Sequence, residues 1–120
     1  IQKPIPLWFG GAVDAALRRA AKYGAGWIPL GEPDAVSAQR LETLRGYLDE
    51  EGRDRAAFGI ECWIRTRDPD PATWLKTAQA WVALGATHVT LYTAGTYLGP
   101  VSEQIDALRR FRDLMPRDTV

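Results

Sequence analysis

Phe58-Gly59-Ile60-Glu61-Cys62-Trp63-Ile64-Arg65 leads, after a short polar break, to Asp70-Pro71 and an amphipathic run carrying Trp74, Leu75, Ala78, Trp81 and Val82. Gly85 closes that run, and His88-Val89-Thr90-Leu91-Tyr92-Thr93 follows. An apolar, β-branched and aromatic segment, then a capped helix, then a second such segment reads as a βαβ unit with parallel strands. Asp70 is an N-cap and Pro71 a first-turn proline. Working outward, the same pattern recurs. Pro4 to Phe9 precedes a helix from about Ala12 to Tyr23, whose buried stripe is Val13, Ala16, Leu17, Ala20 and Ala21. Trp27 to Leu30 is a short strand before a helix capped by Asp34, with Leu41, Leu44 and Leu48 facing the sheet and Gly52 beyond it. Ser102 is expected to cap a last helix with Ile105, Leu108 and Phe111 as its apolar positions.

Four consecutive βα units in 120 residues match half of a (β/α)₈ TIM barrel, in which eight units take roughly 250 residues. The fold class is therefore α/β, with residues 1–120 forming one partial domain. A small, open, flavodoxin-like binding domain has the same order of elements, and local sequence does not separate the two. Pro4 and Pro6 lack amide donors, so the first strand is expected to pair poorly near its start.

Composition is that of an ordinary globular chain: 46% hydrophobic and 25% charged, with fifteen basic residues balancing fifteen acidic ones. No basic field exists to attract nucleic acid or an anionic membrane. No apolar run reaches transmembrane length and no signal peptide is visible, so a cytoplasmic location is expected. With one cysteine, Cys62, and one histidine, His88, an internal disulfide and a Cys/His metal site are both excluded. The chain begins with Ile1, which is expected of a trimmed or partial product.

Strand alternation sorts the chemistry. Glu61, Trp63 and Arg65 share one face of the third strand, and His88, Thr90 and Tyr92 one face of the fourth. Barrel interiors are usually filled with branched aliphatics. These faces instead predict a polar and aromatic cavity. Glu61 and Arg65 are about 13 Å apart along the strand and do not meet. Arg65 and Tyr92 end their strands, where barrel active sites lie. Trp8 is expected with them at the mouth. Glu61 sits deeper, in a structural network. His88 begins its strand, on the side where residues serve stability. Cys62 reads as a small buried hydrophobe. Gly10-Gly11 closes a strand and opens a helix, an arrangement whose free amides and helix dipole suit a phosphate. Asp14 in the first turn would repel one. Gly95-Thr96-Tyr97-Leu98-Gly99 reads equally as a lid or as a plain connection.

Pro4-Ile5-Pro6-Leu7-Trp8-Phe9-Gly10-Gly11, followed by Ala15-Ala16-Leu17-Arg18-Arg19-Ala20-Ala21, resembles the bacterial luciferase-like monooxygenase family. The likeness continues through Gly26-Trp27, Gly59-Ile60-Glu61, Gly85-Ala86-Thr87-His88-Val89-Thr90 and Ile105-Asp106-Ala107-Leu108-Arg109-Arg110-Phe111. It implies the C-terminal half of a TIM barrel using FMN or the 8-hydroxy-5-deazaflavin coenzyme, acting as an oxidoreductase on a small-molecule substrate. It also implies that Gly10, Gly11, Ala12 and Val13 hold the cofactor phosphate through backbone amides, because the serine some relatives place at this turn is absent. The remaining half-barrel would supply the rest of the site, and no catalytic residue is assigned here. Alternatively, the chain is a non-catalytic half-barrel completed by a second copy in a homodimer.

Overall fold

A computed structural model describes residues 3–66, 70–93 and 99–115. Strands β1 (Trp8–Gly10), β2 (Gly26–Ile28), β3 (Gly59–Arg65) and β4 (His88–Tyr92) alternate with helices α1 (Asp14–Tyr23), α2 (Ala35–Glu50), α3 (Pro71–Leu84) and α4 (Val101–Leu114). All neighbouring strands are parallel, and their order in space is their order in sequence. That sequential order has no switch point of the kind a flavodoxin-like sheet requires. The architecture is half of a TIM barrel, and the open-sheet alternative falls.

The capping signals work as their chemistry dictates. The Asp34 carboxylate accepts from the Ser37 amide at 2.8 Å and Asp70 from the Ala72 amide at 3.0 Å. Gly85 ends α3 in the left-handed region at φ 102°, where a side chain would be strained. β1 is shorter than the sequence predicts: Pro4 and Pro6 lie outside it, and pairing begins only at Trp8. α1 starts two residues later than expected, so Val13 becomes its N-cap and is exposed. α4 is capped at Pro100, and Ser102 lies inside it. The Glu103 carboxylate reaches back to the Gly99 amide at 3.1 Å, which brings the helix start forward.

The core lies between the helices and the outer face of the sheet. Trp27, Ile60, Cys62 and Ile64 from the strands meet Leu17, Leu41, Leu44, Leu48, Trp74, Ala78 and Trp81 from the helices. Ala107 and Phe111 are the buried residues of α4. Ile105 and Leu108, expected to be buried, stay 42% and 45% exposed. With Val101 they form a second stripe, turned about 100° from the buried one at 3.6 residues per turn. The accessible surface is 7640 Å², roughly a fifth more than a compact monomer of this mass presents. A half-barrel leaves its inner face and its edge strands uncovered, in keeping with that excess. Among the described residues no helix is long and apolar enough to cross a membrane.

Candidate functional site

The inner face of the sheet is built from two levels. At the lower level stand the first residues of three strands, the register partners Trp8, Gly26 and Gly59. A Cβ placed on Gly26 or on Gly59 would overlap the Trp8 ring, so that indole lies across the bare backbone of β2 and β3. Its far side meets His88 edge-on, with centroids 5.0 Å apart and planes at 77°. Trp8 therefore does not line the mouth with Arg65 and Tyr92. The two glycines leave a trough at the strand starts, and the indole fills it. His88 begins β4 two residues higher, as the register partner of Glu61. Its Nδ1 lies 2.8 Å from the Thr87 hydroxyl.

At the upper level, Arg65 and Tyr92 are the last residues of β3 and β4 and are register partners. The Tyr92 ring stacks on Trp63, with centroids 5.6 Å apart and planes within 10°. The Arg65 guanidinium lies 5.7 Å from the Tyr92 ring centroid, within cation–π range. Glu61 sits between the levels. One carboxylate oxygen accepts from the Trp63 indole at 3.0 Å and from the Thr90 hydroxyl at 2.7 Å. The network expected for Glu61 is present, and it reaches the aromatic pair. A cleft of about 600 Å³ opens here along β4, lined by Trp8, Glu61, His88, Thr90, Phe111 and Met115 among others. Cys62 faces the core, where burial pushes its thiol up to about 11. It is a protonated, inert group at neutral pH.

The glycine turn lies at the C-terminal end of β1, on the same side of the sheet as Arg65 and Tyr92. Gly11 has φ +124°, and a Cβ there would come within 3.0 Å of the Ala16 Cβ. Only glycine suits that position. Gly10 has no such constraint: its nearest neighbour would be the Ile28 carbonyl, at 3.9 Å. The fully buried Trp27 donates its indole N–H to the Gly11 carbonyl at 2.8 Å. In a trans peptide the N–H points opposite to the C=O. The Ala12 amide is thereby turned away from the core. No side chain caps α1 at Val13, and the first amides of a helix have no partners within it.

Asp14, the one acid in the first turn of α1, is drawn aside. It accepts from the Tyr47 hydroxyl and from Arg18 Nε, the latter at 3.1 Å. The Tyr47 hydrogen bond, then that of Arg18, hold its carboxyl below the usual range. Arg18 also packs over the Tyr47 ring at 4.0 Å and reaches Glu50 at 3.6 Å. The charge that would oppose an anion at the turn is thus compensated locally.

Sequence reasoning brought Gly10, Gly11, Ala12 and Val13 to one turn and Arg65 and Tyr92 to one wall. It missed the Trp27 pin. The available signal was that a buried indole N–H needs an acceptor, but the acceptor lies sixteen residues away in the chain. Gly95 to Leu98 of the expected lid lie outside the described residues. Among the described residues no cluster of acidic, histidine or cysteine side chains could hold a metal ion.

The fold recurs in solved proteins. The coenzyme F420 dependent tetrahydromethanopterin reductase from Methanopyrus kandleri superposes over 87% of the chain with a TM-score of 0.67 at 12% identity. An F420-dependent secondary alcohol dehydrogenase, solved with an F420-acetone adduct, aligns over 98% of the chain at 20% identity with a TM-score of 0.47. The chain spans 48% of the first protein and 34% of the second. The family model described as luciferase-like monooxygenase matches residues 1–114. This chain, by a match over almost its whole length, belongs to the luciferase-like monooxygenase family.

Proposed function

We propose that these residues are the C-terminal half of a deazaflavin-dependent oxidoreductase barrel, with the cofactor phosphate at Gly10, Gly11, Ala12 and Val13. The observation that carries this reading is the pinned turn: Gly11 at positive φ, its carbonyl held by Trp27, and uncapped helix amides beyond it. Backbone amides at a helix start bind phosphate through hydrogen bonds and the helix dipole. The backbone of the turn stays bare for a structural reason, since φ +124° and the Ala16 Cβ 3.0 Å away exclude a side chain at position 11.

Continuing the register from Trp27–Ile60 places Gly10, Ile28 and Glu61 in one row. Trp63 is then about 12 Å from the turn, from strand spacing and rise. That distance suits the five-carbon polyol that links phosphate and ring in both FMN and deazaflavins. Arg65 and Tyr92 would border the ring, and the other half of the barrel would supply the rest of its pocket and the substrate chamber. Bound there, the cofactor supplies hydride transfer. The residues of this chain bind it, orient it and exclude water. The name of the F420 dependent reductase that shares the fold favours the deazaflavin over FMN.

Equilibrium titration with coenzyme F420 and with FMN, followed by fluorescence, tests the reading. Saturable binding that inorganic phosphate competes away, and that Gly11→Val weakens, is expected. Equal affinity in Gly11→Val would remove the phosphate assignment, and tighter FMN binding would exchange the cofactor.

A second reading, a non-catalytic unit completed by a second copy of itself, is favoured by the exposed stripe of Val101, Ile105 and Leu108 and by the open sheet edges. Sedimentation separates the two: a monomer at high concentration with a cooperative melt opposes self-completion.

A further inference from the structure

Glu61 is out of place for a barrel interior, where branched aliphatics dominate, and this half-buried carboxylate is held by two donors. Both of its partners sit on the inner face. The Trp63 indole reaches it from the same strand at 3.0 Å, and the Thr90 hydroxyl from β4 at 2.7 Å. Both donors converge on one oxygen. A tryptophan ring otherwise free to turn about its Cβ–Cγ bond is thereby held in one orientation. In that orientation it lies parallel to Tyr92, with Arg65 beside the pair. Packing alone explains two stacked rings. It does not explain a carboxylate spent on holding one of them.

We propose that Glu61 is a positioning residue that locks Trp63 against Tyr92, making a rigid aromatic wall for the tricyclic ring of the cofactor. This rests on the flavin-type reading above, and it adds a role for a residue that touches no phosphate. The occupant is planar and apolar across its middle, with a polar rim. The wall matches that division. Trp63 and Tyr92 offer the flat apolar surface, and Arg65, at the strand ends, offers donors to ring carbonyls. Below it the Trp8 indole covers Gly26 and Gly59, which bounds the depth open to a ring over β2 and β3.

Lumiflavin, which carries the ring and no phosphate, is the probe, and its binding is read by fluorescence. Glu61→Ala is expected to weaken binding about three- to tenfold, as loss of one orienting hydrogen bond implies. Glu61→Gln, which keeps a carbonyl acceptor, should stay within about twofold of the unsubstituted protein. Trp63→Phe, which keeps a ring but has no N–H to lock, should lose affinity like Glu61→Ala and erase any further effect of Glu61→Ala. The near-ultraviolet circular dichroism of the stacked pair should weaken in Glu61→Ala and return in Glu61→Gln.

Unchanged lumiflavin affinity in folded Glu61→Ala overturns the proposal. If that variant does not fold, undiminished affinity in Trp63→Phe overturns it instead. Absence of lumiflavin binding by the unsubstituted protein does so as well. Failure of the phosphate site reads differently: lumiflavin binding stays dependent on Glu61, while inorganic phosphate does not compete with FMN.

Discussion

The buried indole of Trp27 donates to the carbonyl of Gly11 at 2.8 Å, joining the centre of the core to the turn at the end of β1. Trp27 is fully enclosed, so its ring cannot move without disturbing the packing around it. The turn inherits that rigidity. Its peptide plane is set by a side chain on the next strand, and its own sequence supplies only the freedom to adopt it.

Trp27→Phe keeps an aromatic ring in the core and deletes the donor. It should lower stability by about 2–3 kcal/mol, partly from the unpaired carbonyl and partly from the vacated volume. Urea unfolding would measure this. Phosphate competition against bound cofactor should weaken in the same variant, because the Ala12 amide loses its fixed direction.

Adjacent glycines at the turn should behave differently. Gly11→Ala forces a side chain to φ +124° and close to Ala16, at a cost of about 1–3 kcal/mol. Gly10→Ala, exposed and open, should stay within about 0.5 kcal/mol. Paired thermal melts decide it. Equal losses would mean that the positive-φ conformation is not what the turn requires.

A methyl group on Gly59 should displace the Trp8 ring. Gly59→Ala is expected to cost about 1–3 kcal/mol by overpacking. Combining it with Trp8→Ala should cost less than the two single changes added together, because each removes what the other clashes with. Strict additivity in the four-member cycle would show that the ring does not lie on Gly59 in solution.

Acid should destabilise the Asp14 contact. Its carboxyl titrates below the ordinary value of 3.8, because the Tyr47 hydroxyl and then Arg18 favour the charged form. A group whose folded value is depressed stabilises the fold above the unfolded value, and that contribution disappears as pH falls through the folded one. Asp14→Asn should therefore flatten the acid limb of stability below about pH 4. Tyr47→Phe should weaken phosphate affinity at neutral pH, by releasing the Asp14 charge toward the turn. An acid limb unchanged in Asp14→Asn would place the acid-sensitive group elsewhere.

Much of the fold was legible because its signals are local. The alternation of Ile60, Cys62 and Ile64 with Glu61, Trp63 and Arg65 assigns both faces of β3, and the caps at Asp34, Asp70 and Gly85 mark helix ends through their own chemistry. Errors arose where a distant partner decides. Ile105 and Leu108 have the spacing of a buried stripe, yet α4 turns Ala107 and Phe111 inward, and no local pattern records which neighbour a helix meets. Ser102 is a good cap by type, but Glu103 satisfies the Gly99 amide first. Trp8 falls near the mouth if Pro4 to Phe9 is one long strand. Pairing starts at Trp8 itself, which moves it to the opposite end. At the site, residue types pointed to the glycine turn and to Arg65 and Tyr92. The links made by Trp27 and Glu61 depend on spatial neighbours that only the folded chain reveals.

The trough at the strand starts also restricts the order in which this sequence can change. Positions 8, 26 and 59 share one volume, divided as one large ring and two bare backbones. A lineage cannot place a side chain at 26 or 59 while Trp8 stands, and it cannot shorten Trp8 first without opening a void. Either first step passes through a weakened protein. The three positions are therefore expected to drift together or not at all, and a variant library that randomises them singly would report each as intolerant when only the combination is constrained.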